Sequence, residues 1–433
     1  MLSQFKNNEF LNKSFYGLIF KVLSIILNYS FIYTVTKLYG VESWGIMALC
    51  LAVINIFSVF GKLGVDVAIL KFASIHNEKS TILLGLYKKG AVFIAFFSLV
   101  ISITIFFYSK EISTHFFNKP ALYPYMKIAS LGIFPYAMLL LNSQMYRAIG
   151  KTNYFFIFSE IFKFLIPITL ILISYFIFES NQKLLPIYCF IAALYITMFI
   201  SGISWMKAFF LKPFIDISYK QILSTAFPLF LGASSLLIMT WVDTLMLGVY
   251  RSESEIGTYN IIAKISQVPT IVLVAVNGIL APKIANLYNK GRINDLQSVI
   301  TNASKLILIG SAPIFALLLV FHKFLFSFFD SSLIESNSVL FYLLVGQLFN
   351  VFAGSVAIIL QMIGKQKIFS RIMLIALVIN ILLNFLLIKP FGINGAAIAT
   401  SLSLIIWNVS CVVYLKLKLN LKSFYHPSNR KLS

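Results

Sequence analysis

The stretch from residue 43 to residue 61, SWGIMALCLAVINIFSVFG, contains 19 residues in a row without a charged side chain. An α-helix rises about 1.5 Å per residue, so about 20 apolar residues are needed to cross the hydrocarbon core of a bilayer. This stretch therefore predicts a transmembrane helix.

Further stretches of the same character lie on both sides of it. Those with few or no charges are 90–109, 128–146, 184–206, 221–242, 265–282, 336–364 and 390–415. Those that carry a charge or are slightly short are 15–38, 153–178, 302–321 and 370–388. Over the whole chain 59% of the residues are hydrophobic and only 11% are charged, whereas about 25% are charged in an ordinary soluble domain. The sequence thus predicts an all-α integral membrane protein of about twelve transmembrane helices.

The formal net charge of +21 is distributed unevenly along the chain. With a cytoplasmic N-terminus, 23 Lys and Arg residues fall on the inner side of the membrane and seven fall on the outer side. An excess of basic residues is typical of cytoplasmic loops, so the charge indicates membrane topology rather than nucleic-acid binding. We expect a multi-pass protein of the bacterial inner membrane with both termini in the cytoplasm and no nucleic-acid partner.

An internal duplication relates the two halves of the chain at a spacing near 212 residues. Residues 42–45 (ESWG) are followed, 26 residues after the glycine, by residues 71–73 (KFA). Residues 253–257 (ESEIG) are followed at the same distance by residues 283–285 (KIA). A second match lies between the two IGK stretches at 149–151 and 363–365. Several matches in one order indicate that one structural plan is used twice.

Each copy of this plan contains six predicted spans, an even number, so the second copy enters the membrane from the same side as the first. We expect two parallel six-helix lobes around a central cleft, with boundaries at 1–206 and 221–418. A cytoplasmic linker at 207–220 joins them, and a basic cytoplasmic tail follows at 419–433. Two such lobes are the usual architecture of a transporter that works by alternating access.

Five charged residues lie deep in the predicted spans, where a charge costs about 3 kcal/mol or more in lipid. They are Lys21, Glu160, Lys163, Asp243 and Lys264. Asp243 and Lys264 lie at similar depth on consecutive helices, so they form an ion pair or leave Lys264 to bind an anionic ligand. Glu160 and Lys163 share one helix face, so they neutralise each other or leave Glu160 as a proton or cation site. Lys21 is close enough to the inner end of its span to reach the cytoplasmic headgroups.

Neither a catalytic nor a metal-binding motif is present in the sequence. Cys50, Cys189 and Cys411 lie in separate apolar spans, so metal and disulfide sites are not expected. No Walker A sequence, paired-carboxylate motif or nucleophile elbow occurs. A membrane glycan polymerase or ligase typically needs a large outer loop, and the predicted outer loops are modest. We therefore expect a transporter rather than an enzyme, without a cofactor, and leave open whether H+ or Na+ is its coupling ion.

Two stretches of the second half resemble a known family, namely 241–248 (WVDTLMLG) and 256–264 (IGTYNIIAK). They are similar to the polysaccharide repeat-unit flippases of the multidrug/oligosaccharidyl-lipid/polysaccharide exporter superfamily. In that family a helix-seven Asp, a short outer loop and a Gly-x-Tyr sequence at the start of helix eight recur. The segment from Gly45 to Gly61, with Gly64 and the KFA stretch at 71–73, resembles the helix-two signature of the same family.

The resemblance implies a flippase for an undecaprenyl-pyrophosphate-linked oligosaccharide, such as an O-antigen repeat unit of lipopolysaccharide or a capsule unit. It implies that Lys21 and Lys264 bind the pyrophosphate or an acidic sugar, and that Asp243 supports Lys264. The implied partners are the lipid-linked glycan, membrane lipid, and the polymerase and chain-length machinery of polysaccharide biosynthesis. A cation-coupled multidrug exporter of the same superfamily is the alternative, and a glycan polymerase or ligase a weaker one.

Overall fold

The computed structural model describes residues 9–75, 80–178, 182–211 and 218–425, and in these ranges the chain forms helices and no strand. The helices of the first 250 residues are α1 (Glu9–Lys62), α2 (Val65–Ile75), α3 (Ser80–Phe107), α4 (Tyr123–Ser130), α5 (Ile133–Ala148), α6 (Thr152–Phe156), α7 (Phe162–Phe176), α8 (Leu185–Leu211) and α9 (Tyr219–Tyr250). The remaining helices are α10 (Glu253–Ser266), α11 (Ile271–Asn289), α12 (Ile293–Phe329), α13 (Asn337–Ala353), α14 (Val356–Met362) and α15 (Gln366–Leu419). Short helical turns connect some of them, namely Ser109–Glu111, Ile112–Phe116, Pro120–Leu122, Ile157–Ile161, Val268–Thr270 and Ser331–Ser336.

Nine helical segments of the described ranges are long and apolar enough to cross a membrane, and Ser234–Tyr250 forms a shorter apolar helix. The two longest, α1 and α15, each contain a kink. Gly40 in α1 has φ 87° and ψ 165°, and Gly392 in α15 has φ 60° and ψ −136°. Glycine tolerates these positive φ values because it has no Cβ. The predicted helical membrane class is confirmed, and the count of twelve spans stays a prediction.

The chain divides into two compact units, Met1–Gly257 and Thr258–Ser433. In the first unit α1 packs against α3, α5, α7 and α9. In the second unit α13 packs along α15, where Gly346 lies against Ser401, so that a Cβ on the glycine would be 2.8 Å from the Ser401 Cα. Small residues of this kind let membrane helices approach closely.

The predicted lobe boundaries stay a prediction. Of the predicted linker, residues 212–217 lie outside the described residues, between the end of α8 at Leu211 and the start of α9 at Tyr219. Of the predicted tail, residues 426–433 also lie outside the described residues, and α15 ends before Asn420, which has a left-handed conformation.

The duplicated IGK stretches end helices in the same way. Gly150 has φ 77° and Gly364 has φ 79°. The Lys151 amide donates a hydrogen bond to the Tyr146 carbonyl at 2.9 Å, and the Lys365 amide donates to the Leu360 carbonyl at 2.8 Å. Both bonds reach back five residues, which is the pattern of a Schellman cap with glycine in the left-handed position. The duplication therefore extends from sequence to backbone conformation.

Two other duplicated glycines, Gly45 and Gly257, pack against each other in the first unit. A Cβ added at Gly45 would fall on the Glu253 carbonyl oxygen and lie 2.9 Å from the Gly257 nitrogen. A Cβ added at Gly257 would fall on the Val41 carbonyl oxygen and lie 3.1 Å from the Gly45 nitrogen. Val41 and Glu253 each precede a glycine by four residues, so the contact is reciprocal. We call this contact the glycine crossing.

Neighbouring contacts hold the glycine crossing in place. A Cβ added at Gly248 would lie 2.6 Å from the Leu49 side chain and 2.8 Å from the Phe117 ring. The Lys119 ammonium forms an ion pair with Glu253 at 3.4 Å and donates a hydrogen bond to the Arg251 carbonyl. The end of α9 and the start of α10 are thus packed tightly onto the second segment of α1.

A buried polar network joins three helices of the first unit. The Asn142 side chain on α5 accepts from the Tyr87 hydroxyl at 3.0 Å and donates to Ser201 at 3.1 Å and to the Met198 carbonyl at 3.2 Å. The Tyr146 hydroxyl donates to the Ser201 carbonyl at 3.1 Å. These bonds connect α3, α5 and α8, as interhelical hydrogen bonds commonly do in membrane proteins.

Replacing Asn142 by Ala is expected to lower the free energy of unfolding by about 1–3 kcal/mol, because buried partners lose their hydrogen bonds. Thermal unfolding of the purified protein in detergent measures the change. The matched control is Asn55→Ala, since the Asn55 amide donates only within its own helix, to the Leu51 carbonyl at 2.7 Å. Equal losses in the two variants would contradict a network that joins helices.

Candidate functional site

The structure brings Lys21 and Glu160 together in the first unit. The Lys21 ammonium on α1 donates to the Glu160 carboxylate at 3.0 Å, and the Ser24 hydroxyl donates to the same oxygen at 2.9 Å. The side chains of Lys21 and Glu160 are 41% and 27% exposed. An ion pair this accessible can exchange one of its members for another charged group.

Glu160 lies on a helical turn with an unusual hydrogen-bonding pattern. Residues Ile157–Ile161 form a π-helical turn, closed by the hydrogen bond from the Phe162 amide to the Ile157 carbonyl. Such turns contain an extra residue, which widens the helix, and they occur frequently at functional sites. The Phe156 ring, just before this turn, stacks on the Phe20 ring at a centroid distance of 6.0 Å. This stacking places the turn beside the Lys21 segment of α1.

Lys163 lies near the pair and has other contacts. Its ammonium group is 3.5 Å from the Tyr136 hydroxyl, which is the outer limit of a hydrogen bond. It also lies 5.3 Å from the centre of the Tyr136 ring and 4.9 Å from that of the Phe164 ring, within range of a cation–π interaction. Lys163 interacts with Glu160 electrostatically. The ion pair of Glu160 is with Lys21, which differs from the mutual neutralisation of Glu160 and Lys163 considered from the sequence.

The charges of this group do not balance. Two ammonium groups, those of Lys21 and Lys163, interact with the single carboxylate of Glu160. One positive charge is therefore in excess. We call Lys21, Ser24, Glu160 and Lys163 the cationic cluster.

Asp243 and Lys264 lie on different units of the structure. Asp243 is buried on α9 with 5% exposure, in the first unit. Lys264 is half-buried in the last turn of α10, in the second unit. In that unit the Tyr259 hydroxyl, earlier on the same helix, lies 3.1 Å from the Thr400 hydroxyl on α15 and ties α10 to it. The predicted ion pair between Asp243 and Lys264 stays a prediction.

Several partners of the charged residues were not predicted from the sequence. Ser24 lies three positions after Lys21, so helical periodicity places both on one face, and this signal was available. Tyr136 had no such signal, because it lies on α5, far from Lys163 in sequence. A second ion pair was also missed, between Lys62 and Asp66 at 2.8 Å, with side chains 11% and 5% exposed.

No group of three or more His, Cys, Asp or Glu side chains suited to a metal ion occurs within the described ranges. The three cysteines are buried and free of disulfides.

The fold is similar to those of several solved membrane transporters. An inward-facing multidrug resistance MATE family transporter aligns with a TM-score of 0.74 at 14% identity, over 92% of this chain and 94% of that one. The lipid II flippase MurJ in an inward closed conformation aligns with a TM-score of 0.73 at 18% identity, over 93% of this chain and 87% of that one. A MOP superfamily transporter from Pyrococcus furiosus aligns with a TM-score of 0.69 at 13% identity, over 95% of each chain.

The chain belongs to the polysaccharide biosynthesis protein family, whose profile matches residues 10–288. The MatE profile matches residues 228–386. The predicted family resemblance is therefore confirmed.

Two curated relatives come from Haloferax volcanii. The probable low-salt glycan biosynthesis flippase Agl15 is 27% identical over 190 residues, which are 43% of this chain and 40% of the relative. The probable flippase AglR is 29% identical over 180 residues, which are 40% of this chain and 37% of the relative. The matched stretches thus span about two fifths of each relative. Both relatives bear the names of transporters and not of enzymes, in line with the class predicted from the sequence.

Proposed function

We propose that the protein is a flippase that carries a lipid-linked oligosaccharide across the membrane. The observation that carries this proposal is the excess positive charge of the cationic cluster, with Lys21 accessible. Within a membrane protein, where the dielectric constant is low, an unbalanced cation attracts a phosphate-bearing headgroup and repels a cationic drug. Membership of the polysaccharide biosynthesis family supports the same substrate class.

The proposed substrate is an oligosaccharide repeat unit of O-antigen or capsule, linked to undecaprenyl pyrophosphate. It would move from the cytoplasmic to the periplasmic leaflet of a bacterial inner membrane, with both termini of the protein in the cytoplasm. The polymerase and chain-length proteins that assemble lipopolysaccharide or capsule would then use it. The family resemblance of residues 241–248 and 256–264 supports this identity.

The proposed mechanism is alternating access without a covalent step. Lys21 and Lys264 bind the pyrophosphate as two lobes rock between inward-open and outward-open states, and the polyprenyl tail stays in lipid. Asp243, Glu160 and Lys163 support these cations or couple transport to an ion. The proposed driving gradient is that of H+ or Na+.

A second candidate is a cation-coupled multidrug exporter, which the match to the MatE profile favours. It predicts that expression of the protein raises resistance to lipophilic cations. The excess positive charge of the cationic cluster argues against it, because cationic drugs are repelled by it.

Deletion of the gene in its native host tests the proposal. The expected result is loss of surface polysaccharide, with lipid-linked repeat units accumulating in the cytoplasmic leaflet, and recovery when the gene is returned on a plasmid. Polysaccharide that stays normal after deletion, combined with greater sensitivity to lipophilic cations, would favour the drug exporter instead.

A further inference from the structure

The ion partner of Lys21 is a carboxylate of the protein itself. If Lys21 binds the anionic headgroup of the substrate, as the proposed function requires, that headgroup and Glu160 need the same ammonium group. The Glu160 oxygen lies 3.0 Å from the Lys21 nitrogen, which is a full ion-pair contact. Lys21 therefore cannot bind a headgroup with full strength while Glu160 holds it.

The geometry of this pair favours exchange over a permanent link. One oxygen of Glu160 receives both the Lys21 ammonium and the Ser24 hydroxyl. The side chains are 41% and 27% exposed, so another anion can reach the Lys21 ammonium. By contrast, the Lys62–Asp66 pair is enclosed, with side chains 11% and 5% exposed. Another anion can thus displace Glu160 from Lys21.

A second cation is available to Glu160 on the same helical segment. Lys163 lies three residues later and interacts with Glu160 electrostatically. Its own hydrogen bond, to the Tyr136 hydroxyl, is long at 3.5 Å. A carboxylate released from Lys21 would therefore still be balanced by a nearby positive charge, which lowers the cost of its release.

We propose that Glu160 is an internal counter-anion, which occupies Lys21 in the substrate-free protein and exchanges it for the diphosphate of the substrate. Lys163 balances Glu160 after this exchange. The proposal rests on the proposed function, since it assigns Lys21 to a diphosphate. Under this proposal Glu160 sets the affinity for the diphosphate without touching the substrate, because it acts through Lys21.

The test measures binding of farnesyl pyrophosphate, a short polyprenyl diphosphate, to the full-length protein in nanodiscs of uncharged lipid. Isothermal titration calorimetry gives the dissociation constant, and inorganic pyrophosphate is titrated separately to distinguish the free anion from a lipid headgroup. Glu160→Gln retains the shape of the side chain and removes its charge. We expect it to bind both ligands about tenfold more tightly, a change equivalent to about 1.4 kcal/mol.

The matched control is Glu42→Gln, which removes the same charge from an exposed carboxylate that lies 4.0 Å from Lys183. We expect it to leave both dissociation constants unchanged. Lys21→Gln should weaken binding, and it should weaken it about tenfold more in the Glu160→Gln background than in the unmodified protein, because the gain from removing Glu160 acts through Lys21. Binding by Glu160→Gln that equals or is weaker than that of the unmodified protein would overturn the proposal.

A double-mutant cycle tests the part assigned to Lys163. With Glu160 present, Lys163→Gln should weaken farnesyl pyrophosphate binding, because the released carboxylate then lacks a partner. In the Glu160→Gln background, Lys163→Gln should have no effect. An equal loss of affinity in both backgrounds would mean that Lys163 attracts the diphosphate directly. That result would overturn the role of Lys163 as the partner of the released Glu160.

A second variant tests the same exchange. If Glu160→Gln does not fold, Ser24→Ala removes only the hydroxyl that holds Glu160, and we expect a smaller gain in affinity, about two- to threefold. If neither the unmodified protein nor any variant binds either ligand, the proposed function fails and the exchange fails with it. If the unmodified protein binds and Glu160→Gln gains nothing, only the exchange fails.

Discussion

Alanine at Lys21 or at Lys264 is expected to abolish most surface glycan display while the protein still inserts into the membrane. Each substitution removes a cation assigned to the pyrophosphate, and hydrogen bonds to charged groups contribute about 1.5–3 kcal/mol, or about 10- to 100-fold in binding. Surface polysaccharide is quantified in the deletion strain that expresses each variant, with membrane levels of the protein measured by immunoblot.

Lys323→Ala serves as the control for loss of a positive charge, since Lys323 is exposed on α12 and has no assigned role. Lys21→Ala also leaves Glu160 without its partner, so the double variant Lys21→Ala/Glu160→Gln is needed beside it. If the loss of display comes from the unpaired Glu160 carboxylate, cells that express the double variant will regain surface polysaccharide. If both single alanine variants restore display fully at normal expression, the assigned binding site is wrong.

Alanine at Gly45 is expected to be the most disruptive single-methyl change in the first unit. The added Cβ would fall on the Glu253 backbone carbonyl, and a backbone atom cannot move aside as a flexible side chain can. Overpacked sites typically cost about 1–3 kcal/mol, and we expect the upper end of this range or more. Thermal unfolding in detergent and surface display in cells both measure the effect.

Because the glycine crossing is reciprocal, Gly257→Ala should cause a loss of similar size. The double variant should lose less than the sum of the two, since one separation of the helices relieves both clashes. The control is Gly278→Ala on α11, because a Cβ added there meets no atom within 4 Å. Stability and activity of Gly45→Ala equal to those of Gly278→Ala would contradict the close contact.

The helices were predictable from sequence because each transmembrane span is specified locally, by a long apolar run. The predicted spans 15–38 and 43–61 bracket Gly40, where α1 bends. The bend at Gly392 falls within the predicted span 390–415, because a glycine inside an apolar run gives no signal of its φ value. The glycines that cap α5 and α14 are recognisable in the sequence because they recur in the two IGK stretches, where both copies need the same left-handed conformation.

The pairing of charges was less predictable, because sequence reasoning compares only residues within one helix or at similar estimated depths. Glu160 and Lys163 were compared because they are three residues apart. The partner that Glu160 has in the structure, Lys21, is 139 positions away in sequence. The π-helical turn that carries Glu160 also has no composition signal, and it shifts the residues after it by one position relative to a regular helix.

The glycine crossing has a consequence for how mutations at its two sides are related. Its two sides are made by equivalent residues of a duplicated plan, and each glycine meets the backbone that precedes the other. This is the arrangement found on the twofold axis of a homodimer, where a residue of one subunit meets the same residue of the other. In such a homodimer one mutation changes both sides of the interface at once. In this single chain each side can change alone, and both positions are held to glycine by the same steric limit.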